Sequence, residues 1–259
     1  MLQFPLRLRA ALAKGRIFRH GSPGGSHSSP ILRLDAEELL HRAAQQPVSH
    51  ETVREILHAR KPIVWIGGSE PLVHPGIAHL TRLIAQSGHY LFMDTDGVLL
   101  RQRIHEFQPT SRFYFSIRFH GCEAEHDRRG GRAGAFRAAL EGIRVARLSG
   151  FLLCGHAVLQ AESDAAGLTR LWTELRGCDL DGMLISSGAA AASRASGVAR
   201  VVSEARRRLL SPGWAAFSRS LDAAAPAGFS RQVVQPEPEP EPVAASQASE
   251  AKHEERVQA

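Results

Sequence analysis

A carboxylate stands in a glycine-rich turn directly after a strongly apolar run. The run, residues 63–66, contains isoleucine, valine and tryptophan, and two glycines, Ser69, Glu70 and Pro71 follow it. A short apolar run that stops at paired glycines is typical of a buried strand that ends in a tight loop. The sequence therefore predicts that Glu70 leaves the end of a buried strand and that its carboxylate enters this loop.

Other polar or small residues stand at the ends of further apolar runs. The set consists of Gly67, Gly68, Ser69 and Glu70 after the second run, Thr95 and Asp96 at the third, Ser116 and Arg118 at the fourth, and Ser186 at the sixth. In parallel α/β proteins, ligands bind where the carboxyl ends of the strands converge. Any one of these residues could belong to an ordinary turn, but together they predict a polar-lined mouth on one face of the fold.

Strand and helix patterns alternate from residue 30 onward. Strands are predicted at residues 31–34, 62–66, 90–93, 112–117, 151–159 and 181–185, and helices at 36–45, 52–58, 76–86, 98–105, 133–147 and 165–175. Six β-α units with short loops imply a parallel sheet with right-handed crossovers. Because six strands are too few to close an eight-stranded barrel, the predicted fold class is α/β, an open parallel (β/α)6 partial TIM-type barrel. A C-terminal helix at 193–210 is expected to cover the sheet edge.

The composition divides the chain into three predicted segments. Residues 1–29 are a basic N-terminal extension with a Gly/Ser linker, residues 30–222 are the partial barrel, and residues 223–259 are a Pro/Glu-rich tail. The extension could be an amphipathic helix on a membrane surface or a partner, or a helix that caps the bottom of the barrel. The tail has too little apolar surface to pack and is expected to be disordered.

Composition also narrows the classes of function and location. The chain has 259 residues, of which 43% are hydrophobic and 22% charged, which suits one sizeable core. The net charge of +6 is scattered and is not interleaved with aromatic residues, so nucleic acid is not a predicted partner. Three widely spaced cysteines and the lack of a secretory pattern favour a reducing compartment, and we expect a cytoplasmic protein.

Several histidines could suggest a metal site. His120 and His126 flank Cys122, and His74 could join His89. Neither group has the helical H-x3-H or paired-cysteine spacing of a zinc site, so they are interpreted as scattered loop residues and no metal site is predicted. No nucleophile motif of the G-x-S-x-G type is present around the mouth, and no catalytic residue is assigned.

An ordered set of segments resembles the radical S-adenosylmethionine (SAM) superfamily. The segments are the Gly-Gly-Ser-Glu-Pro turn at 67–71 and residues 94–100, 115–121, 126–130, 134–143 and 181–183. Together they place the resemblance over roughly residues 30–188. It implies an open six-unit barrel in which Glu70 holds the amino group of SAM. The other residues of the mouth would then line the cofactor site: Gly67, Gly68, Ser69, Thr95, Asp96, Ser116, Arg118 and Ser186.

The chain departs from the family at the cluster loop. In the family, a loop with three cysteines in the pattern C-x3-C-x2-C follows the first strand, which corresponds here to residues 31–35. The positions of this chain that best match those three cysteines are Leu40, Ala44 and Pro47. A [4Fe–4S] cluster needs thiolate ligands on three irons, with SAM on the fourth, and His41 could bind one iron at most. We therefore expect no [4Fe–4S] cluster and no reductive cleavage of SAM.

The resulting functional prediction is a superfamily member that has lost its cluster cysteines and serves as a non-radical binding or scaffold pseudoenzyme. SAM is expected to bind weakly, because the missing iron removes one of its anchors. The expected partner is another protein, with an active paralogue among the candidates, and the small-molecule ligand is unknown. The alternative is a SAM-dependent enzyme of the family that uses an unusual site on an unknown substrate.

Overall fold

The structure is a computed structural model that describes residues 2–17, 29–36, 54, 56, 58, 61–160, 162–188 and 197–224. All of these residues belong to one unit, Met1–Ala227. The second unit, Gly228–Ala259, lies outside the described residues, as does most of the predicted tail. Of the predicted helix at 36–45 only Ala36 is described, and of that at 52–58 only residues 54, 56 and 58, which are helical. The candidate cluster positions Leu40, Ala44 and Pro47 lie outside the described residues.

Six parallel strands form one sheet in which each strand pairs with its neighbours in sequence. The strands are β1 (Ile31–Asp35), β2 (Ile63–Gly67), β3 (Tyr90–Thr95), β4 (Phe113–Phe119), β5 (Leu152–Leu159) and β6 (Gly182–Ser187). The sheet curls into a half-barrel with helices around it, which confirms the predicted open (β/α)6 fold. Parallel pairing brings the carboxyl ends of all six strands to one edge.

Eight α-helices are present in the described part of the chain. They are α1 (Leu6–Ile17), α2 (Ile77–Gln86), α3 (Leu100–Arg103), α4 (Glu123–Gly130), α5 (Ala135–Leu148), α6 (Ala165–Leu175), α7 (Val198–Leu209) and α8 (Pro212–Asp222). Short 3-10 turns lie at Pro71–Val73, Ile104–Glu106 and Arg176–Cys178. Among the described residues, the longest helices are too short and too polar to cross a membrane.

Two helices differ from the sequence-based prediction. The segment that forms α4 resembled a loop, but acidic residues in its first turn and arginines in its last turn favour a helix through the backbone dipole. The helix stops at Gly131, which adopts a left-handed conformation with φ of 65°. Helix α8 was not predicted, although Ser211 before Pro212 is a common helix start.

The inner face of the half-barrel has an aromatic floor. Phe92 stacks on Tyr114 of the neighbouring strand, with ring centroids 4.6 Å apart, and Phe217 of α8 packs on Phe92 at 4.8 Å. Because side chains alternate between faces along a strand, Asp94 lies on the same inner face as Phe92, nearer the carboxyl end of β3. Apolar packing therefore fills the lower part of this face and leaves polar residues in its upper part.

The residues that precede α1 pack against α8. Phe4 contacts the Trp214 ring edge-on at a centroid distance of 4.8 Å, and the Trp214 indole N–H donates to the Gln3 carbonyl at 3.3 Å. The Trp214 ring itself lies against Gly182, the first residue of β6, where a side chain would overlap it. The residues before α1 therefore lie near the start of β6.

Two leucines of α1 test whether this helix is part of the folded unit. Leu8 is fully buried, whereas Leu6 is 70% exposed. We expect Leu8→Ala to lower the free energy of unfolding by about 2–5 kcal/mol, the usual cost of such a core truncation. Leu6→Ala should change the free energy of unfolding by less than about 0.5 kcal/mol. Denaturant unfolding of the full chain measures both.

The two substitutions remove the same atoms from the same helix, so their difference reports burial rather than helix propensity. Equal stability of the two variants would show that α1 does not pack on the barrel in solution.

Candidate functional site

The Glu70 carboxylate joins the loops that follow β2 and β3. Its Oε1 accepts hydrogen bonds from the Thr95 hydroxyl at 2.6 Å and the Leu72 amide at 2.9 Å. Its Oε2 accepts from the Asp96 amide at 2.8 Å. The sequence predicted a carboxylate released into its loop, but the structure shows that the chain's own donors engage it. Glu70 thus has a structural role in shaping the mouth.

The glycines before Glu70 allow the β2 loop to approach its neighbours. Gly68 has a φ of 87°, a conformation that glycine adopts without strain, and its carbonyl accepts a hydrogen bond from Arg118 at 2.9 Å. A Cβ added at Gly67 would lie 2.8 Å from the Trp65 indole nitrogen and 3.3 Å from the Asp94 Cβ. The paired glycines therefore let β2 and its loop lie close to Asp94 and Arg118.

Arg118 reaches from β4 to two carboxylates of the mouth. Its Nε lies 3.7 Å from Asp94 Oδ2, and one of its terminal nitrogens lies 3.9 Å from Glu70 Oε2. The side chain of Arg118 is 19% exposed. A partly buried cation at this distance stabilises the ionised form of Asp94, and Arg118 links β4 to the loops of β2 and β3.

The two carboxylates differ in their acidity. Burial by itself would raise the pKa of Asp94, but its electrostatic interactions with His156 and Arg118, together with hydrogen bonding, hold the pKa below its usual range. For Glu70, burial and the Asp96 charge raise the pKa from 4.5 to about 7, against the hydrogen bonds from Thr95 and the two backbone amides. Asp94 is therefore a fixed negative charge, whereas Glu70 changes its charge near neutral pH.

Most of the expected site residues come together at this mouth. Gly67, Gly68, Glu70, Thr95, Asp96 and Arg118 are connected through the contacts above, and Ser116 is the register partner of Asp94 in the β3–β4 pairing. Ser186 lies on the far strand, where its hydroxyl meets His156 at 2.7 Å. The mouth thus extends from β2 across the sheet to β6.

The residues of the β2 loop fit the amino-acid end of SAM. A carboxylate offers about four acceptor positions, and the chain's own donors occupy three of those on Glu70. The Ser69 hydroxyl oxygen is buried and has no hydrogen-bond partner within the described part of the chain. Glu70 and Ser69 would therefore hold polar groups of the ligand, and Gly68 would allow its close approach.

The chain's thiols do not fit a [4Fe–4S] cluster. Cys154 is fully buried in the middle of β5, Cys122 follows the carboxyl end of β4, and Cys178 lies in the turn that leads into the start of β6. Burial raises the pKa of all three thiols, which disfavours the thiolate form that binds iron. These thiols lie at different levels of the barrel and cannot replace a three-cysteine loop.

The histidines considered from the sequence make local contacts instead. The His120 amide donates to His126 Nδ1 at 3.3 Å, the Gly76 amide donates to His74 Nδ1 at 2.9 Å, and His89 pairs with the Ser87 hydroxyl at 2.8 Å. Within the described ranges, no three histidine, cysteine or acidic side chains are grouped so that they could hold a metal ion.

Sequence reasoning missed the importance of His156. Its Nδ1 lies 2.8 Å from Asp94 Oδ1, and its Nε2 lies 2.7 Å from the Ser186 hydroxyl, so three strands meet through one imidazole. The available signal was a single histidine in the otherwise apolar run of β5, next to Arg118 in the parallel register. A polar residue that interrupts a buried strand needs a partner, and here it has two.

The raised pKa of Glu70 predicts a pH dependence of stability. The folded chain holds the Glu70 proton more tightly than the unfolded chain, whose pKa is near 4.5. The resulting stabilisation is fully present below about pH 4.5 and is lost as the pH rises through about 7. We expect the free energy of unfolding of Glu70→Gln, whose side chain cannot ionise, to fall less than that of the wild type between about pH 4.5 and about pH 7. Denaturant unfolding of both proteins at several pH values measures this.

The quantity to follow with pH is the difference in free energy of unfolding between Glu70→Gln and the wild type, because other groups make the protein more stable as the pH rises. Burial and the Arg118 charge lower the pKa of His120 from 6.5 to about 4, so His120 adds stability as the pH rises between these values. That contribution is common to both proteins and cancels in the difference. Parallel stability curves for Glu70→Gln and the wild type would contradict the assignment to Glu70.

Comparison with known proteins finds similarity to one curated protein and to several solved structures. The chain is 33% identical over 101 residues to an AdoMet-dependent heme synthase of Methanosarcina barkeri, a match that covers 38% of this chain and 29% of that protein's length. Streptococcus suis SuiB bound to S-adenosylmethionine aligns with 70% of this chain and 44% of its own, at 10% identity and a TM-score of 0.49. TYW1 with a lysine-pyruvate adduct aligns with 59% of this chain and 50% of its own, at 16% identity and a TM-score of 0.41.

Residues 39–165, which contain the Glu70 loop, β3, β4 and most of β5, match the family model of the radical SAM superfamily. Over these residues the chain is therefore similar to the radical SAM superfamily, in agreement with the ordered motifs at the mouth of the half-barrel.

Proposed function

We propose that this chain is a non-radical member of its superfamily, a pseudoenzyme that binds a ligand or a partner protein and does not cleave SAM reductively. The supporting observation is the distribution of thiols. The only cysteines of the chain are Cys122, Cys154 and Cys178, so no thiol is available after β1 where the family's cluster loop lies. Without three thiolates, a site-differentiated [4Fe–4S] cluster has no protein ligands.

Retention of the mouth supports a binding role. Glu70 keeps one acceptor position beyond its internal hydrogen bonds, and the buried Ser69 hydroxyl lacks a partner among the described residues. We therefore propose weak binding of SAM or a related adenosyl compound in this loop. The affinity should be below that of a cluster-containing enzyme, because the iron would otherwise anchor the amino and carboxylate groups of SAM.

A SAM-dependent enzyme with an unusual site is the second candidate. The observation in its favour is the match to the AdoMet-dependent heme synthase of Methanosarcina barkeri, which is 33% identical over the aligned residues. In this case SAM would react without reductive cleavage, on a substrate that the sequence does not identify. The proposed cytoplasmic location and a protein partner, with an active paralogue among the candidates, are compatible with either function.

The first test is anaerobic reconstitution of the full chain with iron and sulfide. Because the thiolate ligands are missing, we expect no stable absorbance shoulder near about 400 nm, the region of thiolate-to-iron charge transfer. Iron and sulfide should separate from the protein on gel filtration. A cluster that stays with the protein in stoichiometric amount would overturn the proposal of a non-radical member.

The second test is a thermal-shift titration with SAM and S-adenosylhomocysteine. If the mouth binds SAM, ligand at about 100 times its dissociation constant should stabilise the fold by roughly 2.7 kcal/mol. We expect Glu70→Ala to abolish this shift. That variant also leaves buried donors of Thr95 and Asp96 unpaired, which should lower its own stability by about 1–3 kcal/mol.

Glu141→Ala is the matched control for this titration. Glu141 is an exposed carboxylate that pairs with Arg101 on the surface at 2.8 Å, and its removal should leave the SAM shift unchanged. An equal shift in Glu70→Ala would place the ligand elsewhere. No shift in the wild type up to millimolar SAM would contradict ligand binding and leave the scaffold role.

A further inference from the structure

A continuous hydrogen-bonded chain of three side chains crosses the inner face of the half-barrel. Asp94 Oδ1 lies 2.8 Å from His156 Nδ1, and His156 Nε2 lies 2.7 Å from the Ser186 hydroxyl oxygen. We propose that Ser186 is a nucleophile for acyl transfer from carboxylic esters, with His156 as its general base and Asp94 as the group that orients the imidazole.

The geometry satisfies the two contacts that define such a catalytic triad. A serine nucleophile must hydrogen-bond the nitrogen that receives its proton, and the base must be held by a third group on its other nitrogen. The triad is recognised by this arrangement and by the roles of its members, since it occurs on unrelated folds and in different chain orders. The order here is Asp94, His156 and Ser186.

The surroundings determine which nitrogen of His156 carries the proton in the neutral ring. Asp94 is an ionised carboxylate and can only accept, so His156 Nδ1 donates to it. Nε2 is then an acceptor, and the Ser186 hydroxyl donates its proton to it. The lone pairs of the Ser186 oxygen are left free, which is the state required for attack on a carbonyl carbon.

The barrel holds the three groups rigidly. Each lies on a strand, and the residues Asp94, His156 and Ser186 are 4%, 5% and 7% exposed. The Trp65 ring packs edge-on against the imidazole, with centroids 5.4 Å apart. Hydrogen bonds at both nitrogens and this ring contact together restrict rotation of His156. Groups positioned by strands in this way are pre-organised for a reaction.

The charges that face His156 favour its role as a base. Asp94 provides the negative charge that stabilises an imidazolium, and Arg118, which lies 3.7 Å from Asp94, helps to keep that carboxylate ionised. Arg118 is also the register partner of His156 on β4. Its guanidinium also donates to the Gly68 carbonyl at 2.9 Å, which holds it beside Asp94.

The proposed reaction is balanced with an ester and water as the only reactants. The Ser186 oxygen bonds to the acyl carbon while its proton moves to His156 Nε2. The bond from the acyl carbon to the leaving oxygen then breaks, and the leaving oxygen takes the proton from His156. Water, deprotonated by the same nitrogen, releases the acyl group as a carboxylic acid and restores Ser186. Asp94 remains ionised throughout.

This inference goes beyond the proposed binding function and does not depend on it. It requires neither SAM nor a cluster, and its groups lie on β3, β5 and β6 rather than on the Glu70 loop. The two proposals can therefore fail separately. If Ser186 does not react, the result of the SAM titration still stands, and if SAM does not bind, the reactivity of Ser186 can still be measured.

The test is labelling of the full chain with a fluorophosphonate probe, which phosphonylates activated serines and releases fluoride. We expect mass spectrometry of the digested wild type to place the adduct on Ser186, and Ser186→Ala to remove it. His156→Gln should slow labelling by about 10²- to 10⁴-fold, the usual contribution of a general base.

Ser187→Ala is the matched control, because Ser187 adjoins Ser186 and its side chain lies on the opposite face of β6. Its labelling should equal that of the wild type. Circular dichroism establishes whether each variant is folded, and the site of the adduct in the wild type decides the matter even if His156→Gln unfolds. No adduct on Ser186 in the wild type, or an equal rate in folded His156→Gln, would overturn the proposal.

Discussion

Asp94 is a carboxylate buried on the inner face of a half-barrel, and the arrangement of the mouth follows from the need to stabilise its charge. An isolated ion in such an environment is strongly destabilised, so it must be paired and hydrogen-bonded. His156 and Arg118 meet this requirement from β5 and β4. In doing so they bring Ser186 and the β2 loop into the same cluster, so that four strands depend on one carboxylate.

The aromatic floor explains why this cluster lies at the carboxyl edge. Phe92, Tyr114 and Phe217 fill the lower part of the inner face, and α8 supplies the last of these rings. Two residues further along β3, the same face presents Asp94. The polar cluster therefore lies at the end at which the parallel strands converge, which is where ligands bind in such folds.

The Glu70 loop shows how a family motif can persist with a structural role. Its carboxylate caps the turn Pro71–Val73 and holds the Thr95 hydroxyl, so it stabilises the connection between β2 and β3 without any ligand. The presence of Glu70 therefore does not by itself show that a ligand binds there. The binding proposal depends on the acceptor capacity that remains on Glu70 and on the unpartnered Ser69 hydroxyl, rather than on the motif alone.

The sequence alone determined the half-barrel and the edge at which its polar residues lie. Apolar runs separated by helical patterns specify parallel β-α units, and the residues after each run, such as Glu70 and Thr95, must then share one edge. The sequence predicted α4 and α8 less well, because a short polar segment and a Pro-Gly pair occur in loops as well as at the start of a helix. The pairing of His156 with Asp94 and Ser186 was decided only by tertiary structure. These residues are 62 and 30 positions apart, and the curl of the sheet brings their side chains within hydrogen-bonding distance.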